Sequence, residues 1–382
     1  MKKLCDICDF QGGSQPPKNE WSFEPQAGYV RMLQIRDFTQ SEKVVPEYIK
    51  IAGSTKQCME DDILIARYGA SIGKILTGLA GAYNVAIMKT VPDTSKIRKR
   101  YLYYYLKSPY FQNSILNVGA RAAQAGFNKE DLAKLVIECP DLAKQDEIIE
   151  ILSKLEMIIG WKEQQFAKFD DLIKSRFVEM FGIPGSNEKG WGISMLGKCC
   201  VLNPKKGEDK RLRSGMKVSF IPMSAITENG NIDVSETKLY DEVKTGFTYF
   251  SENDVLFAKI TPCMENGKGA VAAGLCNGVG FGSTEFHVIR PVENVSNPYW
   301  LYHLMSFNTF RNDAAVNMTG SAGQRRVPVT FLENYKISLP PIHLQNEFAA
   351  FVRQVDKLKF ETQKSLKETQ TLMDSLMQEY FG

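Results

Sequence analysis

The chain has 382 residues, of which 43% are hydrophobic and 24% are charged, and its formal net charge is +3. This composition is typical of a folded protein with two or three domains, and it excludes extended disorder and a strongly basic surface over the whole molecule. The most apolar window, residues 75–88, is short and is interrupted by Gly78 and Gly81. Such a window cannot span a bilayer, so we expect a soluble, cytoplasmic protein without a membrane partner.

The eight cysteines show no short secreted framework, which predicts reduced thiols. Cys5-x-x-Cys8 has the spacing of half a metal site, but no second pair follows at zinc-finger spacing and the chain has only three histidines. We therefore predict buried thiols and no metal site.

Corresponding strands occur in chain order in the two halves of the sequence. In each half an acidic turn precedes an apolar strand, and the loop after that strand differs in length between the halves. Strands that agree while loops vary predict one scaffold that carries different loops. The matching pairs are strand-like residues 30–39 and 218–227, an acidic turn with an apolar strand at 60–67 and 252–259, and a later strand with a basic residue, Lys89 or Arg290.

Aromatic side chains cluster in residues 100–111, beside the basic segment 96–100. Such a cluster could form a stacking platform for nucleic-acid bases. The alternative is an amphipathic helix that buries Leu102, Tyr105 and Phe111. We favour the helix because the second half of the chain does not repeat the aromatic residues one for one, and the stacking platform stays open.

Each half then continues with a loop rich in Gly, Ala and Ser around a central Gln, at residues 119–126 and 319–326. An apolar strand that ends in Pro140 or Pro340 leads into a long segment, and proline suits the start of a helix. That segment, residues 141–182, returns 200 positions later as residues 341–382. Its copies share Gln145 and Gln345, Glu147 and Glu347, Ser175 and Ser375, Glu179 and Glu379, and a terminal Phe-Gly.

Apolar residues recur at steps of three and four in both long segments, which predicts one apolar stripe on each of two helices. At ~1.5 Å per residue each helix is about 60 Å long. We predict an α+β fold with two similar domains of mixed α/β structure, each followed by a long helix, and an antiparallel coiled coil with pseudo-two-fold symmetry. The predicted segments are a first domain at 1–140, a central helix at 141–182, a second domain at 183–340 and a C-terminal helix at 341–382.

The sequence lacks the common enzyme motifs. It contains no Gly-x-x-x-x-Gly-Lys-Ser/Thr phosphate loop, no Gly-x-Ser-x-Gly elbow and no His-Glu-x-x-His zinc motif. Asn203-Pro204 is closest to the catalytic turn of an adenine methyltransferase, but Lys205 and Lys206 follow where an aromatic residue should stack on the base. We therefore predict no catalytic residue on this chain.

The order of these elements, repeated twice over the whole chain, resembles the specificity subunit of Type I restriction–modification enzymes. The features that carry the resemblance are the two variable domains that close with the Gln124 and Gln324 loops, the strands that end in proline, the helices that begin with Gln-x-Glu, and the Phe-Gly ends.

This resemblance implies that each variable domain is a target-recognition domain for one half of a bipartite, asymmetric sequence in double-stranded DNA. The paired helices would set the distance between the halves. Two modification (methyltransferase) subunits would dock on the chain, bring S-adenosylmethionine and methylate an adenine in each half. Restriction (ATPase/nuclease) subunits would bring ATP and Mg, and the chain itself would hold no cofactor.

Phosphate contacts need Lys and Arg, whereas base edges are recognised by Arg, Gln, Asn, Ser and Thr on loops. Gln124 and Gln324 are the strongest candidates because an amide suits an adenine edge, although an ordinary solvated loop side chain is the alternative for every candidate. The predicted DNA-binding residues are Arg67, Tyr68, Ser71, Lys74, Arg121 and Gln124 in the first domain, and Lys259, Thr261, Asn266, Lys268, Ser321, Gln324, Arg325 and Arg326 in the second.

Two other hypotheses stay open from the sequence. The chain could be a stand-alone two-headed DNA-binding or scaffold protein without methyltransferase partners, or an enzyme with an unrecognised site.

Overall fold

The computed structural model describes the chain from Met1 to Gly382 except residues 41–42, 120–125 and 322. Two compact units make up the chain. Unit 1 contains Met1–Glu163 together with Lys364–Gly382, and unit 2 contains Gln164–Gln363. Each unit therefore combines one variable domain with a part of each long helix. The four predicted segment boundaries stay predictions.

Unit 1 is built from short strands and helices. Its strands are β1 (Lys2–Lys3), β2 (Cys8–Gly12), β3 (Trp21–Ser22), β4 (Tyr29–Leu33), β5 (Tyr48–Lys50), β6 (Gln57–Cys58), β7 (Leu64–Ala66), β8 (Ile75–Leu76), β9 (Gly81–Tyr83), β10 (Ile87–Pro92) and β11 (Val136–Ile137). Its helices are α1 (Ile35–Thr39), α2 (Lys99–Lys107), α3 (Pro109–Gly119), α4 (Lys129–Leu132) and the first part of α5 (Leu142–Phe181).

Unit 2 follows the same plan. Its strands are β12 (Gly192–Met195), β13 (Cys200–Leu202), β14 (Lys217–Ile221), β15 (Thr237–Leu239), β16 (Thr248–Ser251), β17 (Val255–Ala258), β18 (Gly269–Val271), β19 (Val279–Gly282), β20 (Phe286–Pro291) and β21 (Lys336–Leu339). Its helices are the last part of α5, α6 (Leu196–Cys199), α7 (Tyr240–Val243), α8 (Pro298–Ser306), α9 (Asn308–Val316), α10 (Val329–Asn334) and the first part of α11 (Ile342–Phe381).

The strand order shows that the two units share one topology. The sheet β2-β10-β7-β8 of unit 1 corresponds to β13-β20-β17-β18 of unit 2, and the pair β1-β11 corresponds to β12-β21. The third sheet is β3-β5-β4-β9-β6 in unit 1 and β15-β14-β19-β16 in unit 2, with a parallel pair, β4-β9 or β14-β19, inside it. The predicted duplication is therefore present in the backbone as well as in the sequence.

The strand predicted over residues 30–39 is wrong beyond Leu33. Helix α1 begins at Ile35 because the Asp37 carboxylate accepts a hydrogen bond of 2.9 Å from the backbone N–H of Gln34, which caps the first turn. In unit 2 the corresponding strand ends at Ile221, directly before Pro222. Local capping overrides the alternating pattern at this point.

The tyrosines of α2 belong to the core of unit 1. Tyr101, Tyr104 and Tyr105 are at most 1% exposed. The hydroxyls of Tyr101 and Tyr105 donate hydrogen bonds to the backbone carbonyls of Glu138 (2.9 Å) and Val136 (3.0 Å). The predicted core helix is thus confirmed up to Lys107, whereas Phe111 is buried from the separate helix α3, and these three tyrosine rings cannot stack on bases.

Within each unit the two long helices pack against each other and run antiparallel. In unit 1, Leu152 shares a core with Met377 and Phe381, whereas Lys162, further along α5, donates hydrogen bonds to Ser365 Oγ (2.5 Å) and Thr369 Oγ1 (3.0 Å). Residue numbers therefore rise along α5 as they fall along α11.

Unit 2 shows the same antiparallel order. Lys359 donates a hydrogen bond of 2.5 Å to Asp170, and further along α5 the Phe177 ring lies 5.4 Å from that of Phe348. The end of α5 also packs here, since the Phe181 ring lies 5.6 Å from Phe348. The Phe-Gly end of one long helix therefore packs beside the start of the other.

A buried glutamine at the start of each long helix joins that helix to its domain. Gln145 and Gln345 are both 0% exposed. The Gln345 amide oxygen accepts from the backbone N–H of Asn297 (2.9 Å), and its Nε2 donates to the carbonyls of Val295 (3.1 Å) and Pro340 (2.8 Å).

Gln145 makes the same three contacts in unit 1. Its oxygen accepts from Arg98 N–H (2.8 Å), and its Nε2 donates to the carbonyls of Lys96 (3.0 Å) and Pro140 (2.9 Å). The glutamine repeated in the sequence is thus a repeated junction of strand, domain helix and long helix.

We predict that Gln345→Leu lowers the free energy of unfolding of the chain by about 3 kcal/mol, because it leaves buried backbone groups without hydrogen-bond partners. Urea unfolding followed by circular dichroism measures the change. Gln354→Leu, at an exposed position of the same helix, is the matched control and should change stability by less than about 0.5 kcal/mol. Equal effects of the two substitutions would contradict the junction.

A second prediction concerns the end of α11. Phe381 is 5% exposed and its ring lies 5.0 Å from Tyr101, so Phe381→Ala should destabilise unit 1 by about 3–4 kcal/mol through the cavity it leaves. Hydrogen exchange should show faster exchange in residues 1–163 and unchanged protection in residues 164–363. Phe360→Ala, at a position 69% exposed, should leave both units unchanged.

Candidate nucleic-acid interface

In unit 1, the loop that follows β7 meets the Gly/Ala-rich loop that precedes α4. Tyr68 forms an antiparallel bridge with Gly126. Arg67 Nε donates to the carbonyl of Phe127 (3.3 Å), and the Arg67 guanidinium lies 5.0 Å from the centre of the Tyr68 ring. Two loops that were predicted separately from the sequence are therefore neighbours.

Gly126 permits this close approach. A Cβ atom at this position would lie 2.4 Å from Cδ1 of Tyr68, which no side chain can tolerate without displacing the ring. The glycine is thus required by the contact between the two loops.

The remaining candidates of unit 1 differ in exposure. Ser71 is half-buried, and its carbonyl accepts from the backbone N–H of Lys74 (3.0 Å), whose side chain is exposed. Gln112 Nε2 holds this loop by donating to the carbonyl of Gly73 (2.9 Å). Arg121 and Gln124 lie outside the described residues.

Unit 2 brings the corresponding loops together in the same way. The backbone N–H of Thr261 donates to the carbonyl of Arg325 (3.0 Å), and Ile260 forms an antiparallel bridge with Arg326. The N–H of Val327 donates to the carbonyl of Lys259 (2.9 Å). Each unit therefore has its own surface in which the two corresponding loops meet.

The charged side chains of this surface are oriented by two glutamates that the sequence analysis missed. Glu285 accepts two hydrogen bonds from Arg326, from Nε (2.9 Å) and Nη2 (2.8 Å), and this pairing lowers the pKa of Glu285. Arg325 lies 3.7 Å from Glu265. Both arginine side chains keep more than 40% of their surface exposed, so their guanidinium groups are oriented and still accessible.

Lys259 is half-buried close to Arg326. Burial lowers the pKa of the Lys259 ammonium group, the positive charge of Arg326 lowers it further, and Glu285 opposes the shift. A phosphate placed here would favour the charged form of this lysine.

The other candidates of unit 2 divide into two groups. Thr261 and Lys268 make internal contacts, because Thr261 Oγ1 donates to Glu265 (3.0 Å) and Lys268 Nζ to the carbonyl of Met223 (3.4 Å). The side chains that face solvent are those of Asn266, Ser321 and Gln324. The second group offers amide and hydroxyl donors and acceptors for base edges.

His287 is a further residue that the sequence analysis missed. Its Nε2 lies 2.8 Å from the carbonyl of Val327, and its Nδ1 lies 3.2 Å from the amide nitrogen of Asn203. Because a carbonyl only accepts, the proton is on Nε2 and Nδ1 accepts from Asn203. Burial lowers the pKa of His287, so this ring is a neutral support beneath the loop. The sequence offered one signal for this residue: His287 is one of only three histidines in the chain, and it lies in a strand.

Other polar clusters noted in the sequence serve internal ion pairs. In the basic segment 96–100, which continues into the start of α2, Arg98 pairs with Asp146 (2.9 Å), Lys99 with Asp62 (2.9 Å), and Arg100 with Glu156. The carboxylates of the acidic turns also form ion pairs: Asp62 pairs with Lys89 (2.6 Å) and Asp254 with Arg290 (2.7 Å). These charges hold the domain together.

Neither a metal site nor a membrane span emerges from the part of the chain that the structure describes. No three His, Cys, Asp or Glu side chains there are grouped to hold a metal ion, and no helix there is long and apolar enough to cross a membrane. Cys8, Cys58, Cys199 and Cys200 are buried as predicted, and burial raises the pKa of Cys8 to about 12. The prediction is wrong for four thiols that are only partly buried, those of Cys5, Cys139, Cys263 and Cys276.

The chain matches the family described as Type I restriction modification DNA specificity domain, over residues 1–167 and 188–370. The EcoAI specificity subunit of Escherichia coli is 37% identical over 195 residues, which cover 49% of this chain and 32% of that protein. The EcoEI specificity subunit of the same organism is 32% identical over 254 residues, which cover 64% of this chain and 41% of that protein. The chain thus spans less than half the length of either relative.

Two solved structures share the fold at low sequence identity. One comes from work on complex assembly and conformational transition of the type I R-M system, with a TM-score of 0.59 and 15% identity over 99% of this chain and 96% of that chain. The other is the S subunit of a Type I restriction–modification system from M. genitalium, with a TM-score of 0.56 and 12% identity over 100% and 95% of the two chains.

The family match covers both units, and the same arrangement of two meeting loops occurs in each, so the chain belongs to the family of Type I restriction–modification DNA specificity domains.

Proposed function

We propose that this chain is the DNA-recognition subunit of a Type I restriction–modification complex, in which each unit binds one half of a bipartite, asymmetric target. The observation that carries the proposal is the repeated meeting of two loops, Tyr68 with Gly126 in unit 1 and Ile260 with Arg326 in unit 2. A shared backbone with different loop residues suits two half-sites of different sequence.

The chemistry of the unit 2 surface supports this function. Gln324 and Asn266 expose amides that can pair with adenine, and Arg325 and Arg326 can pair with guanine or contact phosphate. Glu285 holds the Arg326 guanidinium in place. Pre-oriented polar groups lose less side-chain entropy when DNA binds.

Unit 1 offers a related set on the equivalent loops. Lys74 is exposed, Tyr68 is 40% exposed, and Arg67 lies against the Tyr68 ring. We assign Lys74 and Arg67 to phosphate or base contacts and Tyr68 to packing on the DNA. Arg121 and Gln124 complete the proposed set.

We infer from the exposed apolar residues of the long helices that partner subunits dock there. In unit 1 the exposed fractions are 42% for Ile151, 46% for Met157 and 61% for Trp161. In unit 2 they are 50% for Leu358 and 69% for Phe360. Met157 and Trp161 are four residues apart and therefore lie on the same face of α5, and neighbouring exposed apolar groups of this kind mark interaction surfaces. They favour a subunit of a complex over a stand-alone DNA-binding protein.

The proposed partners bring the chemistry. Two modification subunits with S-adenosylmethionine would methylate one adenine in each half-site, and restriction subunits with ATP and Mg would cut unmodified DNA. The complex would act in the cytoplasm. The chain would contribute target choice through its loops, and the spacing of the half-sites through α5 and α11.

A domain exchange tests the proposal. Residues 1–140 are replaced by the first domain of a specificity subunit of known target, and the chain is expressed with its modification subunits. Methylome sequencing should show a change in one half of the target, with the other half and the spacer length retained. Gln324→Ala is the matched variant in unit 2 and should relax only the other half. A change of both halves in the exchanged chain would contradict the proposal.

The helix length gives a second prediction. Removing four residues from α5 and the equivalent four from α11, 200 positions later, shortens each helix by about 6 Å. The preferred spacer of the methylated target should then shorten by about two base pairs, at ~3.4 Å per base pair. Replacing the same eight residues by Ala keeps the length and should keep the spacer. An unaltered spacer in the shortened chain would rule out the helices as the spacing element.

A further inference from the structure

Unit 2 contains a strongly basic loop that has no counterpart in unit 1. Residues 204–217, here called the basic loop, run from shortly after β13 to Lys217, the first residue of β14, and contain six basic and two acidic residues, a net charge of +4, compared with +3 for the whole chain. The corresponding residues 13–28 of unit 1 contain one lysine and two glutamates, a net charge of −1, and include the edge strand β3. Unit 2 therefore carries an excess of positive charge at a position where unit 1 has none.

The basic loop is fastened to the sheet by its own polar residues. Arg211 donates to the Asp209 carboxylate from Nε (2.8 Å) and Nη2 (2.7 Å), to Ser251 Oγ (2.9 Å) and to the carbonyl of Gly278 (3.2 Å). Further along, the Asp241 carboxylate accepts from Ser214 Oγ and from the Gly215 N–H, both at 2.8 Å. These contacts fix the backbone of the loop before any ligand binds.

Apolar residues of the same loop point inward. Leu212 and Met216 pack against the core cluster that contains Val218 and Phe281. Since Leu212 lies between two arginines, its burial fixes the direction of its neighbours, and Arg213 is exposed. The loop thus has a buried face and a charged face.

The charged face carries four exposed basic side chains within 13 residues of sequence, 205–217. Lys205, Lys210, Arg213 and Lys217 are all exposed. Like charges carried by one short loop repel one another. A polyanion removes the repulsion, and its binding releases condensed counterions.

The position of the loop connects it to the candidate interface. It begins directly after Asn203, whose amide donates to His287 (3.2 Å), and His287 donates to the carbonyl of Val327 (2.8 Å). Val327 in turn donates to the carbonyl of Lys259. A chain of three hydrogen bonds therefore runs from Asn203, the residue before the basic loop, to both recognition loops of unit 2.

We propose that Lys205, Lys210 and Arg213 form a binding surface for the DNA phosphate backbone that is present in unit 2 and absent from unit 1. This inference rests on the proposed DNA-recognition function and adds to it a division of work between the units. Through the basic loop, unit 2 supplies sequence-independent, salt-sensitive affinity in addition to the contacts of the recognition loops that both units share.

Salt-dependent binding of the full-length chain tests the proposal. The triple variant K205A/K210A/R213A is compared with K189A/K198A/K336A, which removes the same charge from three exposed lysines of unit 2 outside the basic loop. The probe is a 30-base-pair duplex of arbitrary sequence, titrated between about 0.05 and 0.3 M salt. Thermal melting of both variants checks that they fold as the unsubstituted chain does.

The first variant should flatten the slope of log K against log salt by about 2.7, at ~0.9 per lost phosphate contact, and weaken binding on the order of 100-fold near 0.1 M salt. The control variant should bind within about twofold of the unsubstituted chain. Equal losses in the two variants would overturn the proposal, because the effect would then be one of net charge alone.

Two further outcomes separate this inference from the function it rests on. Unchanged DNA binding by K205A/K210A/R213A, with loss of assembly with the modification subunits, would assign the basic loop to an acidic protein surface and overturn the inference. If the unsubstituted complex instead methylated DNA without preferring any sequence, the proposed recognition function would fail, whatever the salt slope.

Discussion

The structure depends on the burial of one glutamine side chain at the start of each long helix. Gln145 and Gln345 each satisfy one backbone N–H and two carbonyls where a strand, a domain helix and a long helix converge. A buried amide with three partners has a defined orientation, because each missing partner would cost about 1–3 kcal/mol. Hydrogen-bond geometry at the glutamine therefore sets the direction in which each long helix leaves its domain. The apolar stripe of the helix then packs along that direction.

Much of the fold could be predicted from the sequence because the duplication checks every pattern against a second copy. The two long helices, the strands after the acidic turns and the buried tyrosine helix are all confirmed. The strand predicted over residues 30–39 was wrong because a single capping interaction at Asp37 decides between strand and helix, and alternation of apolar residues does not register it. The periodicity of apolar residues carries no information about local side-chain hydrogen bonds.

The candidate site was predictable only in outline. Loop composition identified Arg326 as a candidate, yet Glu285, which orients Arg326, and His287, which contacts Val327, lie about 40 residues away in sequence. Spacing along the chain does not reveal which acidic residue will orient which arginine. Basic clusters show the same difficulty, since sequence alone does not reveal that Arg98, Lys99 and Arg100 pair with acidic residues of unit 1, or that Lys210 and Arg213 are exposed.

The composition of unit 1 has a consequence for biosynthesis. Its core contains Met377 and Phe381 besides residues from the first 152 positions, whereas unit 2 lies wholly within residues 164–363. On the ribosome, the first domain to emerge must therefore wait for residues 364–382 before its core can close, and the second domain can fold before it. A chain interrupted by proteolysis or a stop codon after residue 363 would retain unit 2 and expose the apolar surface of unit 1 to quality control.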